Sequence, residues 1–288
     1  MKVHFLNVGH GDCCIIEFDS GRTTMVDINN AESIDECTRN EIFQEQCGYN
    51  IPLTNPIKYI KSKGIEHLFR FVITHPHMDH ITGLYQIRQK CKNVWLYQNE
   101  FSADDKLSAE QAKDWEQYEE WRRQIGGISA NPRVLSLSAG ACASYYKEDE
   151  ILILSPTEDL VEKAVSQKNR NIMSTVLLIK YGKYKILLAG DAEAPTWEYI
   201  LANYKNEISD ITILKAAHHG RDSGYCQAAV SIMRPKYTIV SVGKKPEQDA
   251  SCKYRRYSRH VYSTRWKGDI VFECNLNGDV DCYTQYDR

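Results

Sequence analysis

At 288 residues, 42% of them apolar and 26% charged, the chain fits one large globular domain with a sizeable core. No apolar run reaches the ~18 residues that cross a bilayer, and the opening MKVHFLNVG lacks the succession of charged, apolar and small residues that marks a secretory signal, so the expected setting is the cytosol, with no membrane. Ten cysteines without a CxxC pair rule out a zinc-ribbon spacing and read as free thiols of a reducing compartment.

Val3 to Val8 and Cys13 to Phe18 read as strands around Gly9-His10-Gly11-Asp12, a turn whose glycines permit positive φ, and Arg22 to Ile28 makes a third strand. The polar stretch at about 30–54 reads as an insertion. Asn55 as N-cap, Pro56 at the first helical position and Gly64 past the last turn delimit a short helix. Phe71, Val72 and Ile73 form a buried strand that runs into His75-Pro76-His77-Met78-Asp79-His80, with Ile81 to Lys90 continuing as helix and Val94 to Tyr97 as strand. Ser108 and Gln111 make a capping box for a helix carrying Trp115, Tyr118, Arg122 and Ile125, ended by Gly126-Gly127. Its outer face is acidic, from Glu110 and Asp114 to Glu120, and it belongs to a second expected insertion at about 98–130, near the mouth of the site.

In the second half, Ile151 to Leu154 is a strand, and Thr175 to Tyr181 pairs with Lys185 to Ala189 across Gly182, which delivers Gly190-Asp191 at a strand end. A helix with Trp197, Tyr199, Ile200 and Tyr204 follows, then a strand from Asp210 to Ala217 that ends at His218-His219-Gly220. A helix from about Ser223 to Met233, the strand Tyr237 to Val242 and a closing pair, Asp269 to Asn275 and Val280 to Tyr283, complete the order. Arg234 to Lys267 holds ten Lys/Arg against two acids on a chain whose net charge is −2. Within it Lys253-Tyr254-Arg255-Arg256-Tyr257 interleaves cations with aromatics, a composition that binds phosphates while stacking bases. Two successive β-to-α halves point to a single α/β domain over 1–288, a four-layer αββα sandwich of two mixed sheets with outer helices.

Chemistry concentrates in the HxHxDH turn. Alternation across an extended turn sends His75 and His77 to one side, where both imidazoles reach one cation; Asp79 and His80 come one step later and point at a second. Imidazole and carboxylate suit Zn²⁺, and also Mn²⁺ or Fe²⁺, and the absence of cysteine from the run argues for an open, catalytic site.

HxHxDH after an apolar strand resembles the signature of the metallo-β-lactamase fold superfamily of metal-dependent hydrolases. Further stretches resemble its ComEC-like branch, which includes the hydrolase domain of a DNA-uptake protein and bacterial phosphorylcholine esterases: Asn7 to Asp12, Thr74 to Leu84, Asn171 to Ser174, Leu188 to Glu193, Lys215 to Gly220, Ile239 to Gly243 and Val261 to Thr264. The resemblance implies two divalent cations, Zn²⁺ first, with His75 and His77 on one, Asp79 and His80 on the other, and Asp191 bridging. A histidine of the 218/219 pair completes the second position, His219 in the first place, with His218 then facing the substrate. A water activated between the cations would attack phosphorus or carbonyl, with Asp79 or Asp191 taking its proton and His218 stabilising the oxyanion. Lys215, Lys244, Arg255, Arg256 and Tyr257 are the expected substrate contacts, and the expected partner is a nucleic acid or another phosphodiester. Hydrolysis of a small carboxylic ester, lactone or thioester, or a regulatory module with a degenerate site, are the alternatives. Departures from the branch are His10 in place of glutamine, no Gly-His-Pro after the strand ending at Val242, and no histidine anywhere from 81 to 217 to complete the first cation's set.

Overall fold

The computed structural model describes residues 1–30, 36, 39–40, 52–127, 130–245 and 247–286. Its strands are β1 (Lys2–Phe5), β2 (Cys14–Glu17), β3 (Thr23–Val26), β4 (Ile28–Asn29), β5 (Leu68–Val72), β6 (Cys91–Trp95), β7 (Arg133–Leu135), β8 (Ile151–Ser155), β9 (Val176–Tyr181), β10 (Tyr184–Leu188), β11 (Ile213–Lys215), β12 (Tyr237–Val240), β13 (His260–Ser263), β14 (Ile270–Cys274) and β15 (Val280–Thr284). Eight of them form one sheet in the order β15-β14-β1-β2-β3-β5-β6-β7, antiparallel as far as β3 and parallel from there. Six form the other, β13-β12-β11-β10-β9-β8, parallel from β13 to β10 and antiparallel beyond.

Alternation along each strand sorts side chains into layers. Val3, Phe5, Cys14 and Ile16 from the first sheet meet Ile153, Ile179, Ile186, Leu188, Ile213 and Ile239 from the second, filling the space between the sheets. Ile15, Met25 and Phe71 turn the other way, onto Ile60 and the helix Ala109–Arg123 through Trp115, Tyr118 and Trp121. Leu178, Leu187, Leu214 and Val240 likewise face outward, onto Trp197 and Ile200 of the helix Ala194–Asn203 and Val230 and Met233 of the helix Gln227–Met233. The result is the expected αββα sandwich of two mixed sheets; each fully buried aliphatic or aromatic side chain in these layers contributes about 1.5–3 kcal/mol.

Local signals explain several boundaries. The Asn55 side chain accepts from the Ile57 and Lys58 amides, and Ser108 and Gln111 close a capping box. The helix expected from Ile81 to Lys90 is broken instead into Met78–Ile81, Leu84–Ile87 and a 3₁₀ turn, Arg88–Lys90. Gly83 interrupts it at φ +103°, where a Cβ would lie 2.7 Å from the Asn30 Cβ. Asp114, expected on a solvated acidic face, is buried, and its carboxylate accepts from the Gly83 and Tyr85 amides at 2.8 Å each, holding the start of the second short helix. Most of the stretch at about 30–54 lies outside the described residues. The eight described cysteines are free thiols. Among the described residues no helix is long and apolar enough to cross a membrane.

Candidate metal centre

Strand ends deliver every candidate ligand to one edge of the sandwich. β5 runs into Thr74–His80, β10 into Gly190-Asp191, β11 into His218-His219, and β3 ends at Asp27. Asp27, His218 and His219 all have left-handed backbone (φ 57°, 48° and 53°), a conformation non-glycine residues adopt at a cost of roughly 1–3 kcal/mol and mostly at functional sites. The surrounding hydrogen bonds over-determine it: the His219 Nδ1–H donates to Ser241 O at 2.9 Å, and the Asp27 carboxylate accepts from the Thr74 amide at 2.8 Å and its hydroxyl at 2.7 Å.

The six residues expected as ligands converge. His75 Nε2 lies 2.9 Å from His77 Nδ1 and 3.8 Å from Asp191 Oδ2. His80 Nε2 lies 3.4 Å from Asp191 Oδ1 and 3.9 Å from Asp79 Oδ1. His219 Nε2 lies 3.2 Å from Asp79 Oδ2 and 3.5 Å from Asp191 Oδ2. Two ligand atoms about 2.1 Å from a tetrahedral cation stand roughly 3.4 Å apart, the middle of this range. His80 Nε2 and Asp191 Oδ1 are buried with no hydrogen-bond partner, a costly arrangement for polar atoms unless something between them satisfies both. The residues therefore fit a pair of divalent cations, with Asp191 facing both positions.

A supporting layer fixes each imidazole. Besides the Ser241 contact to His219, the His80 Nδ1–H donates to Asp27 Oδ2 at 2.8 Å, and His75 Nδ1 sits 3.0 Å from Thr74 Oγ1 and 3.3 Å from Ser174 Oγ. In each case the second ring nitrogen is left facing the cluster. Asp27, in the break between β3 and β4 of what reads from sequence as one strand, holds a ligand. Asp12 and Lys215 lie beneath. Lys215, expected to touch substrate, is only 4% exposed; its ammonium pairs with Asp12, donates to Gly190 O at 3.0 Å and stands 3.7 Å from Asp191 Oδ1. It is a buried counter-charge, because β11 points it between the sheets and not out of the cleft.

Charges in the cluster are strongly coupled. Burial opposes ionisation of Asp191, but His219, His80 and Lys215 outweigh it and hold the carboxylate well below its usual range. Asp79 is lowered in the same way by His80 and His219, and Asp12 to about 2 by Lys215 and His219. Burial also works against charge on His80 and His219, yet Asp191 with Asp27 lifts the first well above its ordinary value, and Asp191 with Asp12 lifts the second to about 9. His75, pressed by burial and by its neighbours His80 and His77, is held well below. A divalent cation at the cluster would neutralise the same carboxylates directly.

His218 lies at the edge, 3.8 Å through Nε2 from Asp191 Oδ2 and 3.5 Å from Asn171 Nδ2, with Nδ1 2.7 Å from Ser223 Oγ and 3.2 Å from Glu193 Oε1. Gly243 packs on the backbone of Gly9 and His10, and Lys244 next to it is exposed. Arg255 and Arg256 are exposed beyond the short helix Ser251–Tyr254, but the aromatics between the cations are largely committed to packing. Tyr254 is buried against Tyr225, and half-buried Tyr257 rests on the outer core of the second sheet. Away from the site, His4 bridges Tyr59 and Glu17, His260 stacks on Tyr237 and His67 is exposed. His10 and Asp12, quoted above within the stretch Asn7 to Asp12 but given no ligand role, and Asp27 also stand at the site.

Gly11 shows how tightly the turn is seated. Its φ is +147°, and a Cβ there would fall 2.5 Å from both Asp79 O and Asn29 Nδ2. Gly11→Ala should therefore cost roughly 1–3 kcal/mol in urea unfolding. A variant as stable as its parent would show that the turn is free to move.

The model of the Metallo-beta-lactamase superfamily matches residues 47–244. ComE operon protein 3 of Bacillus subtilis (strain 168) is 26% identical over 242 residues, which is 80% of this chain and 28% of that protein. Recombination protein 2 of Haemophilus influenzae is 32% identical over 105 residues, 35% of this chain and 13% of that protein. The chain thus spans less than a third of the length of either relative. Among solved structures, the metallo-beta-lactamase fold protein YhfI from Bacillus subtilis superposes with a TM-score of 0.50 at 10% identity, covering 95% of this chain and 100% of that one.

Proposed function

The chain belongs to the metallo-β-lactamase superfamily of hydrolases, and from that premise we propose that it uses two divalent cations, Zn²⁺ in the first place, to hydrolyse phosphodiester bonds, with nucleic acid as the expected substrate. The observation that carries the reading is the set of converging ligand atoms on His75, His77, Asp79, His80, Asp191 and His219, with buried His80 Nε2 and Asp191 Oδ1 left unpartnered between them. Such a cation pair supplies Lewis acidity and an attacking water that ionises near neutral pH.

The chain's own groups do the rest. Asp79, whose carboxylate is the more exposed of the two acids, takes the proton of the attacking water, and Asp191 keeps the two cation positions adjacent. Glu193 Oε1 at 3.2 Å and Ser223 Oγ at 2.7 Å hold His218 through Nδ1, which turns Nε2 toward the place where negative charge develops on a phosphoryl oxygen. Support for a phosphodiester comes from exposed Lys244, next to Gly243 on the His10 turn, and from a cleft of about 290 Å³ lined by Lys245, Arg255, Arg265 and Trp266 together with Asp249. A relative with recombination in its name adds to it.

Protein loaded with Zn²⁺ or Mn²⁺ and offered bis-p-nitrophenyl phosphate, single- and double-stranded DNA, RNA and a lactone panel tests the substrate class. Turnover of phosphodiesters is expected; turnover of lactones alone would overturn it. Arg255→Glu with Arg256→Glu should weaken polynucleotide binding and reduce its salt slope by about 2, one for each phosphate left without its cation. An unchanged slope in a salt titration would remove these residues from the substrate surface.

A further inference from the structure

The turn Asn7–Asp12 is anchored against the histidine turn from several sides. Asn29 Nδ2 donates to His10 O at 2.7 Å and Val8 O at 3.1 Å, and the Asp12 amide donates to Asp79 O at 3.1 Å. The segment at Gly243 closes over the turn so nearly that a Cβ there would lie 2.6 Å from His10 N. These constraints set the His10 ring 4.7 Å from the His219 ring, with Nε2 3.9 Å from Asp79 Oδ2. His10, Asp79 and His219 each offer a ligand atom, all within 4.8 Å of one another. Arg221 Nη2 stands 3.3 Å from His10 Nε2. A guanidinium only donates, so Nε2 is a bare acceptor and the ring proton sits on Nδ1, which is buried without a partner.

We propose that His10 is a further protein ligand of the cation on the Asp79–His219 side, its Nε2 lone pair exchanging the Arg221 hydrogen bond for the metal. The assignment rests on the metal-dependent reading above and makes the two cation positions unequal. His10 and His219 with Asp79 surround one and His75 with His77 the other, while His80 and Asp191 stand between, each within reach of both. Three imidazoles with carboxylates select a borderline cation over Mg²⁺ or Ca²⁺. The His10 side is therefore the tighter of the two.

Co²⁺ uptake by the full chain, in competition with a chromophoric chelator, reads both affinities, and proton spectra of the Co²⁺-loaded protein count the exchangeable imidazole N–H signals shifted by the ion. In His10→Gln the tighter affinity should fall by at least roughly 10–100-fold, the range seen when even the groups that only orient a metal's ligands are removed, with one fewer shifted N–H signal and the weaker affinity retained. Arg221→Gln releases the Nε2 lone pair and should tighten Co²⁺ binding. Unchanged affinities and signal count in His10→Gln, or weaker binding in Arg221→Gln, would overturn the assignment. Wild-type protein that takes up no Co²⁺ would overturn the metal-dependent reading itself, and this one with it.

Discussion

Asp191→Asn is expected to lower kcat/KM on any phosphodiester that the parent turns over by at least about 10³-fold, more than the loss of a single oxyanion donor, because one carboxylate serves both cation positions. Its oxygens stand 3.4–3.8 Å from the Nε2 atoms of His75, His80 and His219 and from the Lys215 ammonium. An amide of the same shape carries no charge and keeps a single ligand oxygen where two cation positions each call for one. Steady-state kinetics, with circular dichroism to confirm the fold, checks this. Activity within a few-fold of the parent would mean that the chemistry lies elsewhere.

Lys215→Met is expected to act on stability. The ammonium is buried with Asp12 and Asp191, and its own affinity for the proton is raised by both carboxylates against the cost of burial. Removing it leaves two buried carboxylates short of a cation, a loss of about 3–5 kcal/mol. At about 2–4 °C per kcal/mol for a chain of this size, the melting temperature of the metal-free protein should fall by roughly 6–20 °C. Added divalent metal should recover part of the loss, since a cation serves the same carboxylates. A melting temperature unchanged by the substitution would contradict the counter-charge role.

Features set by neighbours in sequence were legible before the fold was known. Asn55-Pro56 and Ser108 with Gln111 announce helix starts because their side chains bond to amides two or three residues on. HxHxDH, Gly190-Asp191 and His218-His219 are readable as one site because each follows an apolar strand, and strand ends collect at one edge of such a sandwich. What depends on partners far along the chain was not. Lys215 looks like a surface cation until β11 is seen to aim it between the sheets at Asp12, and Asp114 looks solvated until Gly83 and Tyr85 arrive with bare amides. β13 was hidden because its residues continue a basic, aromatic stretch, and its pairing with β12 rests on register and not on alternation. Asp27 reads as one more residue of the strand Arg22 to Ile28, and its grip on His80 spans 53 residues.

Anomalous diffraction at the metal edge, from crystals grown with Zn²⁺, addresses the pair of cations directly. Two peaks about 3.5–4 Å apart are expected, one beside His75 and His77, the other beside Asp79, His80 and His219, with Asp191 between them. No peak at this edge of the sandwich, or metal bound only at other residues, would contradict the assignment.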